Sequence, residues 1–283
     1  MTDSPMSDRI ATVATSVELA LIFVGLVLLW RLVLSPAARA GLRSPLLPRW
    51  EIEVTLFFRF LLLIICGSFA AGLAAQLLLK IFPLVGDAAI TVKNVAAQAG
   101  LLLGVAAFRY GVERPQPSDA PKLGAGGTAL TGAAIFLMSL PLVTVAGLVW
   151  QFALKLCGLP VEKQDLITMF SNAESPLILA TMIVLAVVGA PIAEELIFRA
   201  GLFRYVRGRL PRWAALVLPA FFFAALHVNW KTLDGLASLL PLATLAVVFS
   251  LAYERTGRIG PSIVAHALFN LHTVVLIFCG VGL

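Results

Sequence analysis

Three short patterns place polar side chains where the surrounding chain is almost wholly apolar. In APIAEELIFRAGLF, residues 190–203, Glu194 and Glu195 are followed by Arg199. In WAALVLPAFFFAALHVNW, residues 213–230, Phe223 stands one helical turn before His227. In PSIVAHALFNLHTVVLIF, residues 261–278, His266 is followed by Asn270, and His272 comes shortly after. A charge at a bilayer centre costs roughly 2.5–3.5 kcal/mol, so each of these groups needs a partner or a purpose. Glu195 and Arg199 are spaced i,i+4 and share a helix face, where pairing lowers the cost of burying either. Glu194 points about 100° away and is the carboxylate left for chemistry. His266 and Asn270, again i,i+4, form a pair of neutral donors on one face. Each pattern also has a structural alternative. The charges can be a cluster near a helix end where Arg199 snorkels, His227 can be satisfied at the interface, and His266 and Asn270 can join helices by hydrogen bonds. His272 lies off the face of His266 and reads as structural.

The elements that must position these groups follow from hydropathy. The chain has 283 residues, 60% hydrophobic and 13% charged, with a mean hydropathy of +0.98. That excludes an ordinary soluble domain. A helix needs about 20 apolar residues to cross the hydrocarbon, and such runs recur at 14–34, 54–79, 88–108, 129–154, 177–199, 212–230, 235–253 and 261–281. The expected fold is all-α, a polytopic membrane helical bundle of about eight transmembrane helices. A β-barrel would need short alternating segments, which are missing. The first span lacks a small-residue cleavage site and is expected to stay in the protein. Residues 1–176 read as an accessory N-terminal region of four spans and polar loops, and 177–283 as the half that carries the polar groups, within one integrated bundle. No internal repeat argues for an inverted-repeat transporter.

The polar stretches add detail. ERPQPSDAPKLGAGGT, 113–128, is expected to be a flexible loop, and LPVEKQDLITMFSNAESP, 159–176, is either an interfacial amphipathic helix or a plain loop. Pro191 withholds the donor that the carbonyl of Val187 would use, which predicts a kink and room for water beside Glu194. Along regular helices, Glu194 lies roughly 15–20 Å and His227 roughly 22 Å from the basic segment Arg204–Arg212, which brings them to similar depth. Cys66, Cys157 and Cys279 are widely separated, read as core thiols, and suggest neither a disulfide framework nor a thiolate zinc site. The net charge of +6 is spread over loops without a stripe, so no nucleic-acid partner is expected. Lys and Arg favour one set of alternate loops by about two to one, which predicts that those loops are cytoplasmic, in a plasma (inner) membrane, with both termini outside.

In order, EELIFR fits Glu-Glu-x-x-x-Arg, FAALH fits Phe-x-x-x-His and HALFN fits His-x-x-x-Asn. Together they resemble the CPBP family of intramembrane proteases, which includes the type II CAAX prenyl endopeptidases and bacterial Abi proteins. The resemblance covers about residues 177–275. It implies a polar, water-accessible cavity within the membrane and hydrolysis of a peptide bond in a membrane-associated or lipidated protein or peptide. By position it implies that Glu194 and His227 activate water and that His266 and Asn270 stabilise the oxyanion. Glu195, Arg199 and Phe223 would support the site. The family has been read both as zinc-dependent and as metal-free. No HExxH is present, so no cofactor is favoured, and zinc on Glu194, His227 and His266 is the alternative. The implied partners are a membrane-embedded or membrane-associated substrate and the lipid bilayer. A non-catalytic membrane scaffold, with an immunity or regulatory role, and a proton-coupled transporter remain as rival functions.

Overall fold

The computed structural model describes residues 5–41, 45–111, 122–159, 161, 175–233 and 235–281. Their regular elements are helical, as the apolar runs require. The elements are α1 (Pro5–Leu29), extended by a π turn over Trp30–Leu34, α2 (Pro36–Ala40), α3 (Val54–Ile81), α4 (Gly86–Gly111) and α5 (Ala125–Leu156). They continue with α6 (Pro176–Arg207), which contains two π-helical stretches, α7 (Arg212–Ala225), α8 (Leu239–Thr256) and α9 (Gly260–Phe278). Seven described helices are long and apolar enough to cross a membrane, which makes the chain a multi-pass membrane protein. The eighth expected span, 212–230, is the shorter α7. Its helical hydrogen bonding tightens at Ala224 and Ala225, whose carbonyls accept the N–H groups of His227 and Val228, and the indole of Trp230 caps the Ala225 carbonyl at 2.9 Å.

The chain forms two compact units built from discontinuous segments. One comprises residues 48–119 and 168–210, with α3, α4 and α6. Here α3 and α4 meet backbone to backbone. A methyl group on Gly100 would overlap the carbonyl oxygen of Gly67, and one on Gly104 would sit 2.5 Å from the carbonyl oxygen of Leu63. The sequence GLLLG at 100–104 is thus a small-residue interface of the kind membrane helices use to approach closely. Gly100→Ala should cost about 1–3 kcal/mol by forcing the helices apart. Gly72→Ala, where added atoms meet nothing within 4 Å, should leave the melting temperature in detergent unchanged. At one end of the unit, Trp50 meets Phe57, Phe60 and Phe108 edge-on at 6.1–6.5 Å, and Tyr205 of α6 stacks on Phe57 at 3.7 Å. The Arg204 guanidinium lies over the Trp50 ring at 5.7 Å. These contacts anchor the C-terminal end of α6 to α3 and α4.

The other unit comprises residues 1–47, 120–167 and 211–283. Its core joins Ile135, Phe136 and Leu140 of α5 to Leu245 and Phe249 of α8 and Ala265 of α9, with Leu21 and Ile22 of α1 packed against them. Arg212 opens α7 and donates from Nη2 and Nε to the buried Glu254 carboxylate of α8, at 2.7 and 2.9 Å.

Two local expectations change. The Gly-rich end of the 113–128 loop is already helix, because Gly124 in an extended conformation starts α5 at Ala125. Residues 112–121 lie outside the described residues, as does most of 159–176. Cys66 and Cys157 are exposed on the helical surface rather than in a core. The buried face of α3 runs through Phe57, Phe60 and Ile64, and Cys157 sits at the C-terminal cap of α5.

Candidate active site

Glu194, Glu195 and Arg199 lie on α6, in the unit with α3 and α4. Pro191 has no N–H to give, and the helix around it is not regular. A π turn spans Leu185–Gly189, where the N–H of Ala190 bonds back to Leu185, and a second π stretch spans Glu195–Phe203. Wider turns of this kind recur at functional sites. Where the lost donor was expected to kink the helix, the backbone is locally widened on both sides of Glu194.

Glu195 and Arg199 pair at 2.9 Å with side chains 0% and 1% exposed. The charge of Glu194 also acts on Arg199, while Glu194 itself is only half-buried. The two adjacent carboxylates thus differ, one fully enclosed and one partly accessible. Two residues beyond Arg199, Gly201 leaves room for the Phe60 ring, since a side-chain carbon there would lie 2.5 Å from it. Close packing from α3 thereby fixes the helix just after its charged turn. A cavity of about 520 Å³ in this unit lies elsewhere, at the N-terminal part of α6 and against α3 and α4. Ala75, Thr91, Val95, Leu177 and Thr181 help line it, and it contains none of the candidate residues.

Phe223, His227, His266 and Asn270 belong to the other unit. His227 is not on a regular helix but in the turn that follows α7, and its ring Nδ1 lies 2.8 Å from the carbonyl oxygen of Phe223. A carbonyl only accepts, so Nδ1 carries the proton and, in the neutral ring, Nε2 carries the lone pair. The next residue, Val228, is buried with Leu154 and Leu236, and the Trp150 indole donates to the Leu236 carbonyl at 2.8 Å. That packing holds the turn carrying His227 against α5.

Phe223 connects the two histidines. Its buried ring lies 4.8 Å from the ring of His227 and 6.0 Å from that of His266. Phe249 of α8 covers His266 at 5.3 Å. One turn before His266, the buried Ser262 hydroxyl donates to the Phe249 carbonyl at 3.1 Å and ties α9 to α8. Asn270 follows His266 by one α-helical turn on the same face of α9, and it is half-buried. The arrangement within this unit is two imidazoles on one aromatic platform, with an amide beside the second.

Two acidic partners escaped the sequence reading. Glu254 pairs with Arg212, and Glu18 of α1 meets His272 of α9. A lone carboxylate in the first apolar run was the available signal for Glu18. Neither unit by itself, among the described residues, gathers three His, Cys, Asp or Glu side chains into a metal-ligating group.

Comparison with known proteins addresses this same region. Residues 176–272 match the family model described as type II CAAX prenyl endopeptidase Rce1-like. The UPF0177 protein YbdI of Lactococcus lactis subsp. lactis (strain IL1403) is 32% identical over 97 residues, which is 34% of this chain and 47% of that protein. The chain therefore spans about half the length of this curated relative. No solved structure gives a match. The matched segment contains Glu194, Glu195, Arg199, Phe223, His227, His266 and Asn270, and over residues 176–272 the chain is shown to resemble the Rce1-like type II CAAX prenyl endopeptidases to which its three polar motifs point.

Proposed function

We propose that this protein is an intramembrane endopeptidase that hydrolyses a peptide bond in a membrane-associated or lipidated protein or peptide. The observation that carries the proposal is the family match, because residues 176–272 span every polar side chain that chemistry would require. Glu194 is the general base, half-buried beside an enclosed ion pair that holds its helix. His227 presents Nε2 as an acceptor because Nδ1 is engaged by the Phe223 carbonyl, and it shares the proton taken from water. His266 and Asn270 donate to the oxygen that becomes negative when water adds to the carbonyl. A single such donor is typically worth about 10²–10³ in kcat. Glu195 and Arg199 keep the charged turn in place, and Phe223 sets the spacing of the two imidazoles.

The mechanism proposed is metal-free. One carboxylate and two imidazoles also make a donor set that zinc accepts, and zinc bound there would supply Lewis-acid activation of water. The test is cleavage of a membrane-anchored reporter peptide by the purified protein in nanodiscs, with metal content measured before and after chelation. Cleavage that survives complete removal of metal is the expected result. Cleavage lost on chelation and restored by zinc would overturn the metal-free mechanism.

A further inference from the structure

We infer that Glu18 and His272 form an intramembrane brace that sets the rotation of α9, and with it the aim of His266 and Asn270. The consequence for catalysis rests on the hydrolytic reading above, whereas the brace itself does not. Glu18 is the only charged residue between Arg9 and Arg31, within the apolar helix Asp8–Leu34. A carboxylate at that depth is costly and calls for a named partner. Its Oε2 meets Nε2 of His272, although the two residues stand 254 positions apart in the chain. The side chains are 19% and 14% exposed, so the contact is largely shielded. Phe136 of α5 packs edge-on against the His272 ring at 5.6 Å.

The direction of this contact matters more than its existence. His272 follows Asn270 by two residues and His266 by six. At about 100° per residue it projects roughly 160° from Asn270 and roughly 120° from His266 around the helix axis. Glu18 and Phe136 therefore grip α9 from behind, while Phe223 and Phe249 hold His266 from the front. Neutral hydrogen bonds between membrane helices are weak and interchangeable. A carboxylate on an imidazole nitrogen is stronger and directional, because the ring atom lies in a fixed plane. A helix held at two faces about 120° apart has little rotational freedom, and small misplacements of catalytic donors are expensive in rate. The first helix, outside the segment matched to the family, thus becomes a working part of the site.

The chain has three histidines, so selective isotope labelling gives an imidazole NMR spectrum simple enough to follow each one. The comparison is wild type, Glu18→Gln, and the exchanged pair Glu18→His with His272→Glu. Glu18→Gln should move the His272 signals and also those of His266, and the exchange should restore His266. In the reporter assay Glu18→Gln should lower kcat roughly 10- to 100-fold and leave KM unchanged. Unmoved His266 signals would overturn the inference and reduce the pair to a tie between helices. Unmoved His272 signals would show that the contact does not form. If wild type cleaves nothing, the hydrolytic reading fails while the His266 signals still decide the brace. Where Glu18→Gln does not fold, Glu18→Asp keeps the charge, shortens the arm and gives the same readout.

Discussion

Glu194→Gln should lower peptide cleavage by roughly 10²- to 10⁴-fold, the usual contribution of a positioned general base, while leaving the fold intact. The substitution keeps shape and volume and removes the negative charge and, with it, the ability to take a proton. Glu194 is half-buried, so a neutral amide is easily housed there. The ion pair that holds this turn, Glu195 with Arg199 at 2.9 Å, stays in place. Melting temperature and helical content should match wild type, which separates lost chemistry from lost structure. Cleavage at the wild-type rate would sink the assignment of Glu194 as base. It would move attention to the rival role of a membrane scaffold, in which the charges only hold helices together.

The largest stability effect should come from Arg199. Arg199→Met leaves the Glu195 carboxylate, fully shielded from solvent, without the guanidinium that faces it, and breaking a buried pair in this way typically costs about 3–5 kcal/mol. The double substitution Glu195→Leu with Arg199→Met should recover most of that loss, since two apolar side chains of similar size need no partners. Thermal unfolding in detergent for the two single variants and the double variant measures the coupling directly. A double variant as unstable as Arg199→Met would mean that packing, and not charge, dominates the turn. The double variant should still lose activity. Arg199 also acts on Glu194 through its charge, so the same guanidinium links stability to the proposed base.

The sequence by itself determined the class of fold and the identity of the polar groups. Runs of apolar residues long enough to span hydrocarbon become helices because a chain in lipid must satisfy its own backbone. The Glu195–Arg199 pair was legible for a related reason, since neighbours at i,i+4 meet on any helix. The same locality made the motifs EELIFR, FAALH and HALFN readable as one ordered set, and the family match falls on that set. What tertiary structure alone decided is which faces meet. Lipid and protein interior are equally apolar, so hydropathy does not mark the face of α3 that touches α4, and GLLLG at 100–104 gains meaning only opposite Gly67. Nor does it mark where α7 stops. The 212–230 run is apolar enough for a span, yet the helix ends at Ala225 because Trp230 and the buried Val228 draw the following turn back into packing. The platform under His227 and His266 depends on Phe223 from α7 and Phe249 from α8, and Glu18 and His272, 254 positions apart in the chain, meet only in the tertiary structure. Local periodicity fixes which residues share a helix face; contacts between distant segments depend on side-chain shape in three dimensions, which a one-dimensional pattern does not encode.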